Sequence, residues 1–95
     1  MTDGGALPIS FSEQVEKLRA YNLLAGTITI GQAFGGDLEA VNIYSGLIGA
    51  KTVFKADIIV TAMGPGITGT NTPYGFSGIE QGQIANAVHS LQGLP

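Results

Sequence analysis

Asp57-Ile58-Ile59-Val60-Thr61-Ala62-Met63, followed by the long segment Gly64–Gly78, is the stretch from which the fold is read. Its first half is nearly continuous in apolar residues, the pattern of a strand covered on both faces, as in a parallel sheet. Its second half is rich in glycine, proline and hydroxyl residues and reads as one long loop. Beyond the loop, Ile84, Ala85, Val88 and Leu91 recur at helical spacing to about Gln92, where Gly93 supplies a stop. Ser77 and Glu80 form a capping box before that helix. A loop of this length between a buried strand and a helix more often carries function than merely connects.

Upstream the pattern repeats. Thr2–Pro8 reads as a loop, with Ser10 and Glu13 as a capping box for a helix over Phe11–Leu24 and Gly26 as its end. Thr27–Ile30 is a short β-branched strand. Gly31–Gly36 is the next loop, and Asp37 caps a second helix over Leu38–Val53 that is apolar on two stripes. Gly46 and Gly49 in that helix call for close backbone packing, against the sheet or in an interface. The order predicts an α/β, three-layer, Rossmann-like segment with parallel strands and right-handed crossovers. Residues 1–95 form a single α/β domain or fragment. The loop Asp3–Pro8 matches the other strand-ending loops, so a third strand is expected just ahead of it, and the chain is expected to belong to a longer protein.

Composition narrows the function classes. Only 12% of residues are charged, against roughly 25% in typical soluble domains. So few charges imply that surface is covered by a second copy or by flanking domains, the latter favoured. A net charge of −3 with four Lys and Arg argues against nucleic acid. No apolar run is long enough to span a bilayer and no signal peptide opens the chain, so no membrane partner and a cytoplasmic location are expected. Cysteine is absent and histidine occurs once, which excludes disulfides, thiolate chemistry and a His-rich zinc site from this chain.

In open parallel sheets, ligands bind beyond the carboxyl ends of the strands. The three loops therefore supply the candidate ligand-binding residues: Asp3, Gly4 and Gly5; Gly35, Gly36, Asp37 and Glu39; and Gly64, Gly66, Thr68, Gly69, Thr70, Tyr74, Ser77 and Glu80. Gly64, Gly66 and Gly69 spell G-x-G-x-x-G after a strand. In the dinucleotide fingerprint, however, the helix begins within the motif, whereas here it starts well after Gly69. The acidic residue expected further on is missing, and His89 stands there. A phosphate, nucleotide or sugar-type ligand fits better, with hydroxyls from Thr68, Thr70, Thr72 and Ser77 and a helix amino end nearby. No Lys or Arg lies in any of the loops. Converging carboxylates among Asp3, Asp37, Glu39 and Glu80 would suit Mg²⁺ or sugar hydroxyls, while capping is the plainer role for Asp37 and Glu80. Ser77 has no histidine partner for nucleophilic catalysis. No cofactor and no reaction are named by these residues. The alternative is a structural or oligomerisation module with no ligand site of its own.

Three segments, Met1–Pro8, Phe34–Asn42 and Tyr74–Gly82, resemble an uncharacterised bacterial family, domain of unknown function 3866. The resemblance spans essentially the whole chain and implies no established activity.

Overall fold

The computed structural model describes residues 1–2 and 5–95; Asp3 and Gly4 lie outside the described residues. Three helices, α1 (Glu13–Ala20), α2 (Ile43–Thr52) and α3 (Glu80–Ser90), accompany two strands, β1 (Ile28–Ile30) and β2 (Leu38–Ala40). The strands are parallel, with Ile28 opposite Leu38 and Ile30 opposite Ala40. The chain is thus a mixed helix and strand structure around a two-stranded parallel sheet.

Backbone pairing extends beyond that sheet. The Met1 amino group donates to Ile28 O at 2.7 Å, and Ile30 N donates to Met1 O at 3.0 Å. On the other side of the same segment, Thr2 N donates to Ala62 O at 2.9 Å and Gly64 N to Thr2 O at 3.3 Å. Met1-Thr2 therefore lies in parallel between β1 and Met63, giving the lateral order β2, β1, Met1-Thr2, Met63. Thr2 and Thr29 are fully buried at this seam.

Leu38–Ala40 is a strand, not the start of the second helix. A helix from Leu38 would break the ladder that Leu38 N makes with Thr27 O at 3.2 Å. It would also remove Leu38 and Ala40 from the face that α2 covers. Helix α2 begins at Ile43, and its cap is Asn42: the Asn42 side chain accepts from Ser45 N at 2.9 Å and the Ser45 hydroxyl accepts from Asn42 N at 3.3 Å. The connection from β1 to β2 is only residues 31–37, with no crossover helix. Parallel connections normally need a dozen residues or more. Three-residue strands shorten the return path, and Gly31 and Gly35 turn the chain with φ of 64° and 91°.

The other caps shift as well. The first helix is capped by Ser12, whose Oγ accepts from Val15 N at 3.2 Å, so Phe11 falls in a preceding 3-10 turn. Asn22, at φ 56°, ends that helix, with Leu23 N on Leu18 O. Gly26 instead leaves room for the Phe54 ring, which a Cβ there would strike. At the far end Gln92, at φ 62°, makes the left-handed turn, and Gly93 N donates to Val88 O at 2.9 Å.

The segment expected to be a strand covered on both faces is not one. Only Met63 pairs; Ile58 and Val60 are 84% and 85% exposed. The backbone of Asp57–Thr61 makes no hydrogen bond to a described residue. Apolar composition predicts burial only where a neighbouring strand and helix supply the cover. The remaining core is small: Ile9, Ile30, Ala33, Ala50, Ile84 and Ala87 are its buried apolar side chains. Helix α2 rests on both strands and against α3.

Gly46 settles its own case. A Cβ there would lie 2.8 Å from Ile30 Cδ1, so the close approach is to the sheet. At Gly49 the nearest atoms are 3.8 Å away, Ile28 Cδ1 and Leu38 Cδ1. At Gly36 a Cβ would meet backbone, Thr29 N at 2.7 Å and Leu38 O at 2.8 Å. Gly49→Ala should therefore raise unfolding free energy by up to about 1 kcal/mol through helix propensity. Gly36→Ala should lower it by about 2–3 kcal/mol, because backbone cannot move aside as a side chain can. Urea unfolding of the two variants checks the contrast.

Candidate functional site

The parallel order places three loops at the carboxyl ends of their strands, and the backbone shows how they meet. Gly5 and Gly66 face one another: a Cβ on Gly66 (φ +99°) would sit 3.5 Å from Gly5 Cα, and one on Gly5 would sit 2.9 Å from Pro65 O. On its other flank the first loop pairs with the second, through a Pro8–Phe34 bridge and Ile9 N on Phe34 O at 2.9 Å. The first loop is therefore the middle of the three. Gly35 lies against Ile9, 3.6 Å from its Cγ2 to a Cβ position.

Between the first and third loops opens a cleft of about 270 Å³, bounded by Met1, Leu7, Phe11, Gln14, Met63 and Pro65. Its walls are mainly apolar, and none of the four Lys and Arg side chains lines it. The volume is near the small end for a ligand pocket. Of the described residues singled out from sequence, Gly64, whose N–H is committed to Thr2, is the one on the cleft's walls. Leu7, Phe11 and Met63 were missed, because apolar side chains next to a loop carry no signal separating a cleft wall from core.

Asp37 is placed away from this edge. It stands opposite Thr27, just ahead of β2, and so at the amino ends of the strands. Its Oδ1 takes a 2.7 Å ion pair from Arg19 Nη2, and its Oδ2 accepts from Thr27 N at 2.9 Å. Arg19 Nη2 also donates to Thr27 Oγ1 at 2.8 Å, and Asp37 N donates to the same hydroxyl at 3.1 Å. The Arg19 hydrogen bond, helped by Thr27 N–H, holds the Asp37 carboxyl below its ordinary range. Asp37 thus does not cap α2; it ties α1 to the start of both strands. Glu39 lies within β2, and its Oε1 accepts from Gly35 N at 2.9 Å. Glu80 opens α3 without a capping box, since Ser77 is engaged elsewhere. Among the described residues, no group of three or more His, Asp or Glu side chains gathers to hold a metal ion.

The long third loop folds onto itself as a small hairpin. Gly69 pairs with Phe76 antiparallel, Thr70 N donates to Gly75 O at 2.6 Å, and Ser77 N donates to Thr68 O at 2.8 Å. The Ser77 hydroxyl accepts from Thr68 N at 2.9 Å and donates to Thr68 O at 3.2 Å. The Thr70 hydroxyl donates to Gly75 O at 2.9 Å and lies 2.7 Å from that of Thr72. Three of the hydroxyls expected to bind phosphate, those of Thr70, Thr72 and Ser77, are thus hydrogen-bonded within the loop. Tyr74 projects at the tip, 81% exposed. Gly66 and Gly69 make close approaches, to Gly5 and to Phe76, and no helix begins within that motif.

Residues 1–95 match a family described as protein of unknown function (DUF3866). The chain belongs to that family. No curated protein and no solved structure matches it.

The Arg19–Asp37 contact makes a stability prediction. A carboxyl held below its ordinary value of 3.8 stabilises the fold above that pH, and the contribution is lost as pH falls through the lower folded value. Asp37→Asn should cost about 1 kcal/mol near neutrality, an estimate reduced because the pair is exposed. The variant should also lose less stability than the parent between about pH 5 and 2, as followed by urea unfolding.

Proposed function

We propose that the chain is a small-molecule-binding segment of a cytoplasmic bacterial protein with Rossmann-like, three-layer architecture. Its site lies at the glycine-rich loops on the carboxyl edge of the strands. The observation that carries this reading is the direct meeting of Gly5 with Gly66 beside Pro65, a wall of the apolar cleft. Glycine at both positions brings two backbones together where a ligand would be clasped, a recurrent use of residues without a Cβ. With no Lys or Arg on its walls, the cleft suits the neutral ring of a nucleoside or sugar against Leu7 and Phe11 better than a bare phosphate. No reaction is proposed for it.

The test is protein-observed NMR of the full chain titrated with nucleosides, nucleotides and sugar phosphates. Binding that shifts Leu7, Phe11 and Gly66 resonances is expected. It should weaken at least about tenfold in Leu7→Glu, which places a charge in the cleft. Leu7 is 36% exposed, so that variant should keep its circular dichroism spectrum. Unshifted cleft resonances across the panel would overturn the reading.

A second reading, a structural or oligomerisation module, is favoured by surface area. The chain exposes 6576 Å², whereas a self-contained monomer of 9.7 kDa should expose about 5,100 Å². The excess is larger than the roughly 800 Å² that one partner contributes to a standard interface. Gly46 and Gly49 turn toward the strands, while Leu47, Ile48, Val88 and Leu91 border an open groove of about 330 Å³ between α2 and α3. If copies pair through that groove, Val88→Asp should convert a dimer to monomer in sedimentation velocity. A parent chain that is already monomeric at high concentration sinks this reading.

A further inference from the structure

The segment ending at Met63 closes the lateral order of strands, and its outer side has no backbone partner among the described residues. Ala62 O and Gly64 N are the groups it turns toward Thr2. By strand alternation, the N–H and C=O groups of Asp57, Ile59, Thr61 and Met63 turn the other way, outward. None of them bonds to a described residue. Natural edge strands are guarded by Lys, Pro, a bulge or a covering loop. Residues 58–63 hold no charge and no proline, and Ile58 and Val60 are exposed. The edge is unguarded.

Register decides what fits it. Outward groups must meet outward groups, so an antiparallel pair of two copies is centred on a residue. Centred on Ile59, the pair sets Ile59 against Ile59, Ile58 against Val60, and the Asp57 carboxylate against the Thr61 hydroxyl. Moved to Val60, it sets Asp57 against Met63. Moved to Ile58, it sets Asp57 against Ile59 and draws Lys55, at φ 51°, into the strand. A parallel pair in register stacks Asp57 on Asp57, like charge on like. The segment therefore complements itself in one arrangement, apolar on apolar and polar on polar. The surface carried above that of a self-contained monomer is enough for one standard interface per copy.

We propose that residues 57–61 are the pairing edge of a homodimer, in which two copies join antiparallel about Ile59 and continue one sheet. Backbone hydrogen bonds are exchanged at the Ile59–Ile59 pair and at both Asp57–Thr61 pairs. Ile58 of each copy and Val60 of the other fall in the close, non-hydrogen-bonded pairs, where side chains pack best. The two-fold axis stands perpendicular to the sheet. The α2–α3 grooves of both copies, each bordered by its Ile59, therefore open on one face beside that axis. The pairing rests on the oligomerisation reading and supplies its symmetry and register.

Sedimentation velocity and amide hydrogen exchange of the whole chain test it. At high concentration the chain should be a dimer. The amides of Asp57, Ile59 and Thr61 should then exchange at least about tenfold more slowly than those of Ile58 and Val60, a difference lost on dilution to monomer. This pattern is read on the parent chain, so it does not depend on any variant folding. Thr61→Asp sets carboxylates opposite one another at both ends of the pairing and should weaken the dimer about tenfold. Adding Asp57→Lys makes both pairs opposite in charge and should restore it. A dimer that Val88→Asp breaks, but whose Asp57, Ile59 and Thr61 amides exchange as fast as their neighbours, overturns the edge pairing and leaves the oligomerisation reading standing. A chain that stays monomeric at high concentration overturns both.

Discussion

Two residues hold the halves of this protein together by their backbones. Met1 bonds to β1 in both directions, and Thr2 does the same with the segment ending at Gly64. Without them the two-stranded sheet and its α2 cover would have no lateral link to Met63, and the third loop would lose its anchor. The bonds run through amide and carbonyl groups, so they constrain direction and register but say little about side-chain identity. Full burial of Thr2 and Thr29 fits such a seam, where small β-branched residues allow strands to lie close.

From that seam the loop arrangement follows. Parallel strands send all their carboxyl ends to one edge, and the first loop, leaving the middle position, touches both neighbours. Pairing with Phe34 on one side and contact with Gly66 on the other are consequences of its central place. The amino edge is organised differently, by charge. Arg19 and Asp37, joined through Thr27, brace α1 against the strand starts, and this employs one of the few cations in the chain. Carboxylates that look alike in a list of acidic residues thus sit on opposite edges with unlike duties.

Low charge, an apolar but uncovered flank at Ile58–Val60, and surface area above that of a self-contained domain share one explanation. A parallel strand gains from apolar residues only when both its neighbours and both its faces are supplied. Here the flank is paired at Met63, while Ile58 and Val60 lie exposed. The α2–α3 groove is open beside the same flank. The uncovered surface is therefore localised rather than scattered, and it coincides with unpaired backbone.

Local sequence determined the helical character of α1, most of α2 and α3, the strand at Ile28–Ile30, the parallel sense of pairing, and the family to which the chain belongs. Those features rest on periodicity, β-branching and order along the chain, which act over a few residues. It placed caps imperfectly: Asn42 with Ser45 was legible as a capping pair, yet Asp37 drew the assignment because acidic residues before an apolar run usually cap. Only tertiary structure decided that Leu38–Ala40 is a strand, since its ladder partner Thr27 lies on another segment. It alone decided that Ser77 and Thr70 spend their hydroxyls inside the hairpin, and that Leu7, Phe11 and Met63 line a cleft. Burial and hydrogen-bond partnership are properties of pairs distant in sequence, and no residue carries its partner's position in its own type.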